Sequence, residues 1–431
     1  LAIVLLVENV TTIEPITTFR SNANVVLKPH NKDKICATMV TEQHIYVHVP
    51  FCNGKCVYCG FYSILPSRQT VALYIDALAR EIDAHFQTHA SLAPETVYFG
   101  GGTPSILDSR ELAQLCALVR SRCTVAALKE WTVEGNPGTL TDDKIGVLRH
   151  SGVNRISLGA QAFDDAVLRA IGRRHTAADI VSTVAALRKA GFDNIGLDLI
   201  ANLPGVTKRM WRDTLQRAVA LEPQHVSVYT LSIEPGSRLA RYVSPLTGRT
   251  ARIAKFDGFN FTLSDEGSQI HALEIAEETL AEAGYERYEL SNYALPGHRC
   301  LHNDAFWRGE DYIGFAPAAA SRFGLRRWTN RADLSGYVRS LSAGAYPPRE
   351  EETLLPEQDL GERLAFGLRL CRGLDLGEFM RRFTVPDGLK TRWLATLEKL
   401  EREDLVQHSG SVWRLTKRGW LLADYVALEL I

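Results

Sequence analysis

"HIYVHVPFCNGKCVYCGFYS", residues 44–63, is a strand-like run that opens into a loop carrying three cysteines. Cys52, Cys56 and Cys59 are spaced C-x3-C-x2-C. Zinc prefers four ligands, and its usual sites combine two C-x2-C pairs or Cys pairs with His pairs. No second pair lies nearby, so zinc here would need a remote His. Three thiolates also suit a cubane iron–sulfur cluster held at three irons with the fourth left open. Four Cys are the rule for simple electron transfer, so an open iron makes sense if a small molecule coordinates there. S-adenosylmethionine can do so through its amino and carboxylate groups, and the radical chemistry that follows belongs to the cofactor.

Outward from this loop the sequence alternates. Helical spacing over 70–86 follows the first strand, then a strand with glycines over 96–102 and a helix over 109–121 with a Ser or Asp cap. Strands are expected at 130–137, 154–161, 194–205 and 225–236, and helices at 141–152 (capped by Thr141), 177–191 and 208–221. Repeated strand–helix units imply a parallel sheet. Polar residues follow the strands, at the end where parallel barrels place active sites. Six such units predict a partial (β/α)6 barrel of the TIM type. Residues 241–268 read as a loop or insertion, with a helix resuming at 272–285. After about 350 the pattern becomes helices, a short β pair and a final helix, a small winged-helix-like α+β domain. Its basic residues are interleaved with acids, which favours packing over DNA binding. The expected divisions are a poorly patterned leader (1–43), the barrel (44–290), a connecting segment (291–350) and the C-terminal domain (351–431).

Composition excludes several classes. The 431 residues are 45% hydrophobic and 23% charged, with net charge −1, so no basic field points to nucleic acid. No apolar run approaches the roughly 20 residues of a membrane-spanning helix. The leader begins with Leu1 and lacks an Arg-rich amphipathic period; it favours the cytoplasm, with the mitochondrion as the alternative. The other five cysteines are scattered, which fits a reducing compartment, and Cys116 reads as a buried thiol in a helix.

The loop, with Tyr58 before its last Cys, resembles that of the radical S-adenosylmethionine superfamily. More narrowly, "YVHVPFCNGKCVYCGF", "FGGGTPSIL", "VEGNPGTL", "GVNRISLGAQAF", "GRRH", "LDLIANLPG" and "YTLSIEPGS", in order from about residue 44, resemble the oxygen-independent coproporphyrinogen III oxidases and their paralogues. The true oxidases carry a further Cys two positions after the third; Phe61 stands there. "HNDAFW", His302 to Trp307, resembles the HNxxYW motif of the haem chaperone (HemW) branch, with Phe306 in place of Tyr.

The resemblance implies that Cys52, Cys56 and Cys59 hold a 4Fe-4S cluster. It implies that Gly101, Gly102 and Thr103 offer a backbone edge to the methionyl amino group, and that Glu134 meets the ribose. Tyr46, Gln161, Arg173 and Asp198 match further positions around S-adenosylmethionine. His302 is the candidate haem ligand and Cys300 its rival; Arg322, Arg326 and Arg327 are candidates to pair with propionates. "GFAPAAAS" (314–321) and Asn202 depart from the Gly-bearing family pattern. The function implied is binding of haem and its delivery to haem-requiring proteins such as respiratory enzymes, with a homodimer as a further expected partner. The alternatives are oxidative decarboxylation of coproporphyrinogen III and another radical reaction.

Overall fold

In the computed structural model the described residues are 44–88, 93–123, 127–234, 236–241 and 266–431. The leader and nearly all of the expected 241–268 insertion lie outside them. Six strands run parallel in sequence order: β1 (His44–Val49), β2 (Thr96–Gly101), β3 (Glu130–Gly135), β4 (Arg155–Gln161), β5 (Ile195–Ala201) and β6 (His225–Thr230). Helices Arg68–Thr88, Ser109–Arg122, Asp142–His150, Ala177–Lys189 and Lys208–Val219 return the chain between them. This is the expected six-unit parallel arrangement. The sheet is an open arc among the described residues, since β6 pairs not with β1 but with an antiparallel strand, Asn292–Ala294.

Each strand has two unlike faces. Ile45, Val47, Val49, Val97, Phe99, Trp131, Val133, Ile156, Leu158, Leu197, Leu199, Val226 and Val228 are buried in the main core beneath the helices. Full burial of such side chains stabilises by about 1.5–3 kcal/mol each. The intervening positions point inward and are polar: His44, Tyr46 and His48 on β1; Thr96 and Tyr98 on β2; Glu130, Thr132 and Glu134 on β3; Arg155 and Ser157 on β4; Asp198 on β5; His225, Ser227 and Tyr229 on β6. Parallel strands covered on both faces normally read as continuous apolar runs. Here strict alternation survives because the inner face encloses polar groups.

Helix starts follow local chemistry. Asp108 and Glu111 form a reciprocal capping box before Ser109–Arg122, each bond 2.8 Å. Thr141 occupies the cap position of Asp142–His150 but makes no side-chain cap bond; its hydroxyl is drawn to the Asp143 carboxylate instead. The helix expected from residue 272 is found over Glu266–Glu282.

The segment expected to connect the domains adds strands to the same sheet. Tyr312–Phe315 pairs in parallel with the free side of β1, and Ala320–Phe323, Arg326–Asn330 and Arg349–Thr353 continue antiparallel beyond it. The last region has its own core around Trp393, Leu397, Leu400 and Trp413, with a three-stranded sheet among helices. Its first helix, Pro356–Leu368, stacks Phe366 on Phe306 (5.4 Å) in the short helix Leu301–Trp307. Buried Arg322 is clasped by Asp359 and Glu362 across the same boundary.

Candidate functional site

The cysteine loop leaves β1 and is held by main-chain bonds on both sides. Gly102 N donates to Val49 O (3.0 Å), Thr103 N to Phe51 O (2.7 Å), and Val57 N to Ile171 O (3.1 Å). Two of the amides expected to face the cofactor are therefore engaged in fixing the loop. A Cβ on Gly101 would lie 2.3 Å from the His48 ring, at φ +96°, and one on Gly102 would lie 2.6 Å from the Val49 and Phe51 carbonyls. Only glycine permits this approach.

All three thiols are free and partly exposed. Burial, then the neighbouring Cys56, pushes Cys59 up to about 11; burial also raises Cys52, opposed by a hydrogen bond from Thr103. Thr103 Oγ1 accepts from Asn136 Nδ2 (3.0 Å), which directs its own proton onto Cys52 Sγ (2.9 Å). Asn136 Oδ1 in turn accepts from Arg173 Nη2 (2.7 Å), while Arg173 Nη1 lies 3.8 Å from Cys56 Sγ. The donors of Thr103 and Arg173 favour ionised sulfurs. Among the described residues no three His, Cys, Asp or Glu side chains converge on one ion position. Three thiols and two donors aimed at sulfur fit an iron–sulfur cluster, which Cys52, Cys56 and Cys59 would hold.

Glu134 sits beside this edge. Its carboxylate accepts from Tyr98 OH (2.8 Å) and Gly101 N (3.2 Å), and burial raises its pKa. Tyr46 lies at the level of Tyr98 and donates to His48 Nδ1 (3.1 Å). Gln161 ends β4 at φ +68°, beside a register shift, a left-handed backbone uncommon outside glycine. Asp198 is deeper, bonded by Ser157 Oγ at 3.3 Å, and burial raises its pKa.

His302 lies elsewhere. Its Nδ1 is 2.8 Å from Thr96 Oγ1, at the start of β2, and its ring faces Tyr98 at 5.1 Å. Polar chemistry thus also occupies the N-terminal end of the strands. Five residue steps along β2 separate Thr96 from Gly101, about 16 Å at ~3.3 Å per residue. A cleft whose space, open solvent included, is about 790 Å³ bridges the two levels. Phe61, Gly101 and Glu134 line its upper part, Tyr46 and Tyr98 its middle, and His44, His302, Asn303, Phe306, Glu310 and Tyr312 its lower part. Burial, then His44 and Arg155, push His302 down to about 3, so its imidazole is neutral.

The rival candidates separate cleanly. Cys300 is fully buried, contacts Glu130 and does not line the cavity; burial pushes its thiol up to about 12. Arg322, Arg326 and Arg327 are engaged by Asp359, Glu351, Glu352 and Glu362. Asn136, Thr96, Glu130 and Glu310 were not among the residues expected at the site. Asn136 alone had a signal, its place in "VEGNPGTL" at a strand end.

Fold and loop together define a radical S-adenosylmethionine protein. The radical SAM superfamily matches residues 46–218, and the HemN C-terminal domain matches 354–422; the superfamily carries a 4Fe-4S cluster and S-adenosylmethionine. Coproporphyrinogen III oxidase (HemN) from Escherichia coli has the same fold, with TM-score 0.76 and 24% identity over 90% of both chains. The heme chaperone HemW of Lactococcus lactis is 34% identical, over 88% of this chain and 95% of its own length. That of Bacillus subtilis is 30% identical, over 88% and 97%. The chain belongs to the HemW haem chaperone family.

Proposed function

We propose that this protein binds haem in the cavity between the cysteine loop and His302 and passes it to haem-requiring proteins. The observation that carries the reading is the continuity of that cavity. A cargo bound at its lower end shares walls with the edge where S-adenosylmethionine would lie. Tyr46, Tyr98, Phe306 and Tyr312 offer flat apolar surface, and His302 offers a neutral imidazole whose Nε2 has no hydrogen-bond partner among the described residues. When bound, the cluster and S-adenosylmethionine supply a reducible centre at the other end. Residues of the chain do the rest: Thr103 and Arg173 support the sulfurs, Gly101 and Glu134 shape the cofactor edge, and the aromatic walls exclude water.

Phe61 favours carrier over oxidase, since it presents a ring to the cavity where the oxidases have a thiol. Among the described residues no helix is long and apolar enough to cross a membrane. The seven free cysteines among those residues support a reducing compartment, the cytoplasm or, as the alternative, the mitochondrion. The acceptors would be respiratory haem proteins, and dimer formation would couple cluster state to release.

The test is anaerobic reconstitution followed by haem titration, recording the Soret band with and without cluster. The expected result is stoichiometric binding that His302→Ala weakens or shifts spectrally. Absence of haem binding in both states refutes the reading. Anaerobic conversion of coproporphyrinogen III would replace it with the oxidase.

A further inference from the structure

Five side chains from distant parts of the sequence form one hydrogen-bonded line at the lower end of the cavity. Arg308 Nε donates to Glu310 Oε1 (2.7 Å); Glu310 Oε2 lies 2.7 Å from His44 Nε2. His44 Nδ1 lies 2.9 Å from Thr96 Oγ1, which lies 2.8 Å from His302 Nδ1. We propose that Glu310, His44 and Thr96 act as positioning residues that fix His302 as its Nδ1–H tautomer and present a bare Nε2 lone pair to the cavity. The inference deepens the haem reading and rests on it for the identity of the ligand that Nε2 would meet.

The order of protons follows from one end. Burial would raise Glu310, but the hydrogen bonds from His44 and Arg308 and the Arg308 charge outweigh it, holding the carboxyl down to about 2. An ionised carboxylate only accepts, so His44 Nε2 must donate. With a single proton on the His44 ring, Nδ1 is its acceptor and the Thr96 proton goes there; with two, His44 Nδ1 would donate and the line would run the other way, so the assignment belongs to the singly protonated ring. Thr96 Oγ1 is left with lone pairs facing His302, so His302 Nδ1 must donate. Its other nitrogen carries no proton. Histidines that ligate metal almost always donate their other ring N–H in this way, which fixes the ring and raises the basicity of the ligating nitrogen.

The ring's backbone is fixed independently. Glu130 accepts from Leu301 N (3.0 Å) and His302 N (3.3 Å), holding the first turn of the helix that carries His302. The Tyr98 ring limits its tilt. Tautomer and position are therefore set before any ligand arrives.

The experiment has two arms. Long-range proton–nitrogen NMR on histidine-labelled, ligand-free protein at about pH 8, above the ordinary histidine range, reads the tautomer; His302→Gln assigns the resonance. The expected result is Nδ1–H at His302, lost or mixed in Thr96→Val and restored in Thr96→Ser. In the second arm, haem affinity falls roughly 10–100-fold in Thr96→Val and recovers in Thr96→Ser, with a matching change and recovery of the Soret band. An Nε2–H tautomer in the parent protein, or Thr96→Val leaving tautomer and affinity unchanged, overturns the inference. An Nδ1–H tautomer together with a haem spectrum indifferent to His302→Ala sinks the haem reading and leaves the tautomer assignment standing.

Discussion

Acid should loosen this fold well above the carboxylate range, and His48 shows why. The ring is buried between β1, the cysteine loop and Gly101; its Nε2 donates to Tyr62 O (2.9 Å) and its Nδ1 accepts from Tyr46 OH. Burial pushes its pKa down to about 4, against the pull of the Tyr62 hydrogen bond. In the unfolded chain a histidine titrates near ~6.5. Above that value both states are neutral and the full stability is present. Below it the unfolded chain takes up a proton that the folded chain refuses, and stability falls until the pH reaches about 4. At about 1.4 kcal/mol per unit, His48 alone removes about 2 kcal/mol by about pH 5. A typical domain has only about 5–15 kcal/mol to lose. His175, pushed to about 4 by burial and then by the Arg173 charge, adds to the same slope. The informative variant is His48→Gln, whose amide can donate to Tyr62 and accept from Tyr46 without titrating. Urea denaturation followed by tryptophan fluorescence, in reductant, should show the variant losing about 2 kcal/mol less than the parent between about pH 6.5 and 5. Parallel losses in the two proteins would refute the reasoning.

Three further outcomes can be checked. Gly101→Ala must place a methyl against the His48 ring in a left-handed backbone; we expect a loss of about 3 kcal/mol or more in denaturant. Thr103→Val removes the donor to Cys52 and strands Asn136 Nδ2; stability should fall by about 1–3 kcal/mol, and iron retained per chain should fall too, both recovering in Thr103→Ser. Arg322→Met removes one of the two arginines from each of Asp359 and Glu362, which keep Arg363 and Arg327, a loss of about 1–3 kcal/mol. Limited proteolysis should then cut between the barrel and the last helical region, whereas an intact digestion pattern would show that the pair does not hold the two together.

The repeated barrel units were legible because each is local: a strand and the helix after it announce themselves by period and cap. The cysteine loop was legible because three thiols in a short span have few other uses. What escaped was long-range or aperiodic. The bond between Thr96 and His302 joins residues 206 apart, and that between His44 and Glu310 joins residues 266 apart. The strands "YIGF", "ASRF" and "RRWTN" are too short to show alternation, so their place beside β1 could not be read. Departures at Asn202, Ala316 and Ala318 concealed continuity: all three keep a positive φ (58°, 83° and 64°), the backbone a glycine would adopt.

The two-faced strands have a consequence for how such a protein can change. The fold is secured outside the barrel, where Ile45, Val47, Phe99, Trp131 and Leu158 meet the helices. The wall of the chamber is made by alternate residues that add little to that grip. Inward positions can therefore be exchanged in ones and twos while the outer layer keeps the chain folded. A scaffold of this kind can refit its chamber to another occupant through a few inward substitutions, with its architecture untouched.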